Sequence, residues 1–152
     1  MKLWRLVRPG HEALDGAGAL ARGGRYTPPG FAVVPFASEP GLAVLVAMRY
    51  LTSDPRTCMD DYLLGWTEVV AAPERAPDED ETAIRAFVSA WLAERRVLLA
   101  AVRSKVLPEA DVVLMNPAHL DAASIAPLTT RPFIFADCLH EPPMKASYES
   151  NA

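Results

Sequence analysis

The chain has 152 residues, 51% of them hydrophobic and 22% charged, a length and composition that suit one globular domain, and a second full domain is not expected. A net charge of −4 and an isoelectric point near 5.3 argue against a general nucleic-acid binder, which needs a basic face, but leave open a local basic pocket. No uninterrupted apolar run of roughly 18 residues occurs and the opening MKLWRLVRPGHE is charged throughout, so a cytoplasmic protein without a membrane partner is expected.

In chain order, Lys2 to Val7 alternates as a strand does, with Leu3, Arg5 and Val7 on one side and Trp4 and Leu6 on the other. The small-residue segment DGAGALA follows, then the loop RGGRYTPPG from Arg22 to Gly30. AVVPF reads as a short strand, and its Pro35 places it at an edge or a strand end. Glu39 to Thr52 is apolar on nearly every side, the pattern of a largely buried helix, and Tyr62 to Val70 is a strand entering the acidic surface loop APERAPDEDE. Asp78 is a plausible N-cap with Glu81 three residues on, and Ile84, Phe87, Val88, Trp91 and Leu92 then recur at helical spacing until Arg95 and Arg96 close the helix. Val97 to Val102 reads as a central strand, Val112 to Met115 and Pro132 to Phe135 as two more, and the tail from residue 144 to 152 as disordered beyond a domain of residues 1–143. The whole is an α+β fold, a single mixed-sheet domain with flanking helices.

Cys58 and Cys138 lie far apart with no CxxC spacing and read as reduced structural thiols, with a disulfide between them left open. None of His11, His119 and His140 has a second ligand at zinc spacing, so no metal and no cofactor are expected.

The loop RGGRYTPPG has two readings. Glycines at 23 and 24 allow a close backbone approach, Pro28 and Pro29 stiffen the exit, Arg25 offers a planar fork to phosphate or carboxylate, and Tyr26 offers a ring for stacking. Alternatively it is a surface turn with an incidental arginine.

The order of motifs decides between them: WRLV, GAG, GGRYTPPG, VVPFAS, a helix with AVLV, VRSKVLPE, MNPAHLD and PFIFAD. This order resembles the RES domain family over nearly the whole chain, with signatures near GGRWNPPG, VVYLAES with ALxxLE, VPS and NPxH. The resemblance implies a fold similar to that of ADP-ribosyltransferases. It also implies a toxin that degrades NAD by hydrolysis or phosphorolysis, paired with a helix-turn-helix antitoxin; a homodimer is left open. Carried over by position, Arg5, Arg25 and Ser104 are the candidate catalytic residues, and Arg5, Gly24, Arg25, Tyr26, Ser104 and Asn116 the candidate nucleotide-binding ones. Asn116 and His119 match NPxH. Each has a plainer reading beside this: salt-bridged surface arginines for Arg5 and Arg25, a strand-ending serine, a turn-forming Asn116 and an exposed loop His119.

Two positions depart from the family. Pro35 stands where it has tyrosine and Val46 where it has the glutamate that would stabilise charge at the ribose. Glu39 and Glu68 are the candidate stand-ins, and Arg49, one turn past Val46, would favour anion binding. The alternative function is therefore a catalytically degenerate homologue acting as a nucleotide-binding or protein-interaction module.

Overall fold

The computed structural model describes residues 1–55, 57–78 and 80–139. His140, the expected domain boundary at 143 and the expected tail lie outside the described residues.

One mixed seven-stranded sheet forms the centre, in the order β4-β5-β6-β2-β1-β3-β7. The strands are β1 (Lys2–Val7), β2 (Val34–Ala37), β3 (Tyr62–Glu68), β4 (Glu74–Arg75), β5 (Leu99–Arg103), β6 (Asp111–Met115) and β7 (Thr129–Phe133). Only the pair β4 and β5 is parallel. The helices are α1 (Ala17–Arg22), α2 (Pro40–Met48), α3 (Glu81–Glu94) and the short α4 (Phe135–Cys138). The α+β expectation is met.

Side-chain alternation along the strands divides the core into two faces. On one, Leu3, Val34, Phe36, Leu99, Val113 and Met115 pack together, roofed by loop residues such as Leu14, Leu98, Ile125 and Leu128. The other face carries the helices. There Ala100, Val102 and Leu114 meet Ile84, Val88, Trp91 and Leu92 of α3, while Ala37 and Leu64 meet Leu42 and Ala43 of α2. Trp91 is fully buried and its indole N–H donates to the Val97 carbonyl at 3.0 Å, so the ring brings apolar area to the core without stranding its polar atom.

Three expectations are corrected. Pro35 sits on β2 in the interior of the sheet, opposite Leu114 of β6, and not at an edge. This is tolerable because β1 meets β2 only at Trp4 and Ala37, so the hydrogen bond that proline lacks belongs to a ladder that barely exists. The N-cap of α3 is Asp80, whose Oδ1 accepts from the Ala83 N–H at 2.9 Å; Asp78 instead pairs with Arg103 at 3.0 Å. Finally, the acidic stretch is not all loop, since Glu74–Arg75 pairs with Ala100 and Ala101 as a strand.

Candidate functional site

β1 and β2 pair only at Trp4 and Ala37, and Pro35 is exposed although its strand is central. An open cleft of about 530 Å³ lies on the molecule's surface. One wall is the RGGR loop, with Arg22, Gly24 and Arg25; Arg49 and Tyr50 come from the end of α2, and Glu81 from the first turn of α3.

The glycines shape the loop as the sequence suggested, but only one is obligatory. Gly23 ends α1 at φ 75° and ψ 179°, and a Cβ there would stand 3.0 Å from Pro29 N, Pro29 Cδ and Thr27 O. Only glycine fits such a backbone without strain. A Cβ on Gly24 would meet nothing closer than Thr27 Oγ1 at 3.5 Å. The Gly24 N–H closes the turn by donating to Thr27 O at 2.9 Å, and Arg25 emerges from it toward α3.

Arg25 meets Glu81 there. Its Nε and Nη2 both donate to Glu81 Oε2 at 3.4 Å. Arg85 holds the other oxygen more closely, through Nε at 3.2 Å and Nη2 at 2.9 Å, and Lys105 Nζ stands 3.9 Å from Oε2. The Arg85 guanidinium, with Arg25 beside it, holds the Glu81 carboxyl below the usual carboxylate range. Arg22 and Arg49 have no ion-pair partner among the described residues. An acidic chain thus presents a locally cationic cleft, suited to an anion of more than one charge.

Tyr26 takes another part than expected. Its ring is buried against the α3 cluster, burial pushes its phenol above the usual range against the pull of Arg25, and the Arg25 guanidinium lies 5.6 Å from the ring centre. The ring therefore supports Arg25 from beneath. The aromatic side chain exposed in the cleft is Tyr50.

The other candidates lie elsewhere. Arg5 shares a face with Leu3 and Phe36, the side away from α2 and α3. Its guanidinium lies 5.7 Å from the Phe36 ring centre, Nη1 reaches the Ala13 carbonyl at 3.5 Å, and burial drags its pKa down to about 10 against the attraction of Asp15. It does not join Arg25. Ser104 is buried, and its Oγ accepts from the Val106 and Leu107 N–H groups at 3.2 Å each, ordering the turn after β5. Asn116 is likewise buried, its Nδ2 donating to Leu92 O at 3.1 Å and its Oδ1 accepting from Ala118 N at 3.0 Å, which ties α3 to the end of β6. His119 Nδ1 accepts from the Asp121 N–H at 3.1 Å and caps the 3-10 turn Leu120–Ser124. Val46 packs against the apolar cluster of Ala37, Leu42 and Ala110. Glu39 is the exposed N-cap of α2, and Glu68 borders a smaller cavity of about 240 Å³ with Val69, Leu98 and Asp121, so neither carboxylate lines the cationic cleft.

The sequence reading missed Arg22, Tyr50 and Glu81. Their signal was weak, because each looks like an ordinary helix-end residue until three segments converge. Among the described residues, no cluster of His, Cys, Asp and Glu is arranged to hold a metal ion, and no helix is long and apolar enough to cross a membrane.

The RES domain pattern matches residues 2–136. The chain belongs to the RES domain family. This RES chain is 34% identical over 149 residues to a protein of Sphingobium sp. (strain YBL2) described as a Prs ADP-ribosylating toxin, an alignment covering 87% of this chain and 92% of that one. Its fold is similar to a chain in the crystal structure of the M. tuberculosis MbcT–MbcA toxin–antitoxin complex, with a TM-score of 0.71 at 15% identity, covering 95% of this chain and 88% of the other.

Proposed function

We propose that this RES protein is a toxin that binds NAD or a related dinucleotide in the cationic cleft and breaks its nicotinamide–ribose bond. Three arginines around one open cleft carry this reading. Arg22, Arg25 and Arg49 are of the type and charge that hold a pyrophosphate, and Tyr50 offers a face to a base or to nicotinamide. As the glycosidic bond lengthens, positive charge grows on the ribose, and a carboxylate near it lowers the barrier. Val46 supplies none, which leaves Glu81 as the carboxylate that lines the cleft among the described residues. The description of the Sphingobium relative as a Prs ADP-ribosylating toxin supports transfer of ADP-ribose to an acceptor; hydrolysis and phosphorolysis are the same cleavage with water or phosphate as acceptor. The antitoxin complex of the structural neighbour supports an antitoxin partner here.

A second reading, a nucleotide-binding homologue without turnover, is favoured by the apolar packing of Val46. Nicotinamide release from NAD, measured with and without phosphate for the natural protein, Arg25→Ala and Val46→Glu, separates the two. The first reading expects release by the natural protein that Arg25→Ala abolishes. Release by Val46→Glu alone supports the second, and no release by either, with no NAD binding, removes NAD from consideration.

A further inference from the structure

Glu81 stands where an incoming anion has to go. Arg25 offers its fork toward the cleft, and that fork is already occupied, but at 3.4 Å to a single carboxylate oxygen, a loose grip compared with ordinary charge-assisted contacts of about 2.7–2.9 Å. The tighter hold on Glu81 comes from behind, from Arg85 at 2.9 Å, with Lys105 at 3.9 Å. Glu81 can therefore let go of Arg25 and keep its counter-charges. Arg25 has no other carboxylate partner among the described residues, and it, like Glu81, remains partly open to solvent.

Resting on the reading of the cleft as a phosphate site, we infer that Glu81 is an internal competitor for Arg25, which lowers the apparent affinity of every anion that uses Arg25 by the same factor, so that only a ligand with further contacts in the cleft is held. A single carboxylate arriving at Arg25 replaces one carboxylate with another and must overcome a competitor tethered in place, whose effective concentration is high. A lone phosphate gains little more. A diphosphate takes Arg25 from Glu81 and also engages Arg22 or Arg49, which have no ion-pair partner among the described residues, and those added contacts outweigh the displaced one. The chemical class this favours is a nucleoside diphosphate or dinucleotide, over monophosphates and carboxylate metabolites.

Calorimetric titration of the full chain with inorganic pyrophosphate and with inorganic phosphate tests this in the natural protein, Glu81→Gln and Arg85→Ala. The natural protein is expected to prefer pyrophosphate by at least about tenfold. Glu81→Gln keeps the shape and removes the competitor, so both anions bind more tightly, by about threefold or more and by a similar factor, and the preference for pyrophosphate is kept. Arg85→Ala acts in the opposite direction, because Glu81 then has Arg25 as its main partner, and pyrophosphate weakens severalfold. Unchanged or weakened binding in Glu81→Gln overturns the inference, as does tighter binding in Arg85→Ala. If the anions behave as expected but NAD does not bind, the nucleotide reading fails and the competition stands; if NAD is bound and cleaved while Glu81→Gln leaves both anions unaffected, the reverse holds.

Discussion

Arg25 and Arg5 are the same side chain in two opposite settings. Arg25 stands at the rim of the cleft on the helix-bearing face, partly exposed, with Glu81 in front and the Tyr26 ring beneath. Arg5 lies across the sheet over Phe36, partly buried, with a long contact to the Ala13 carbonyl and no carboxylate at ion-pair distance among the described residues. The first is arranged to exchange partners and the second to stay where it is. The comparison teaches that a motif can place two arginines in one site on paper, while the parity of a strand places them on different sides of a sheet.

The largest effect should come from exchanging these two in turn. Arg25→Ala removes a charge-assisted fork and should weaken pyrophosphate or NAD about 100-fold, whereas Arg5→Met should change the same affinity less than about twofold. Equal losses in a binding titration would mean that both side chains reach one ligand, and the separation of the two faces would no longer describe the working protein.

A smaller effect separates the two glycines that aim Arg25. Gly23→Ala forces a Cβ into a backbone region reserved for glycine and within 3.0 Å of Pro29 and Thr27, a strain of about 1–3 kcal/mol. At roughly 2–4 °C per kcal/mol for a chain of this size, thermal unfolding should fall by several degrees, and ligand affinity with it as the loop shifts. Gly24→Ala meets only ordinary contact and should lie within about 0.5 kcal/mol of the natural protein. A Gly24 variant as damaged as the Gly23 one would show that the loop needs both glycines for the ligand and not for its own path.

What could be read in advance follows from how local each signal is. The strand Lys2–Val7 was legible residue by residue because the alternation of its side chains between two faces is a local property. The body of α3 was legible from its apolar stripe, though its start was not, since Asp78 and Asp80 are equally good caps until Arg103 takes one of them. The short α1 carries no apolar stripe, and Gly16 at its N-terminus has φ 72°, so nothing in DGAGALA announces a helix. The central place of β2 was hidden by Pro35, whose usual meaning depends on a ladder that β1 does not complete. In the cleft, Gly24 and Arg25 were visible as a motif, but Tyr26 was misjudged. Tyr26 is buried against the α3 cluster while Arg25 reaches Glu81 over its ring, and the motif alone does not tell which of the two adjacent side chains faces the cleft. Glu81 looked like a solvated capping residue because its three cationic partners come from the RGGR loop, from one helical turn further on, and from beyond β5.

The smallest effect distinguishes the two settings by pH alone. Glu81 has a folded-state pKa held below its usual 4.5, so its contribution to stability is fully present above that value and is lost as pH falls through the lowered one. The difference in unfolding midpoint between the natural protein and Glu81→Gln should therefore be constant above about pH 5 and shrink on acidification. Arg5 follows the other sign. Burial disfavours its charge, so the penalty is present at neutral pH and lifts only as pH rises past about 10, and the difference between the natural protein and Arg5→Met should stay flat across the acid range. Acid sensitivity in the Arg5 difference would mean that a carboxylate, with Asp15 the nearest in charge, holds that guanidinium more firmly than its long contact with Ala13 implies, and the contrast between an exchanging arginine and a fixed one would have to be redrawn around two anion sites.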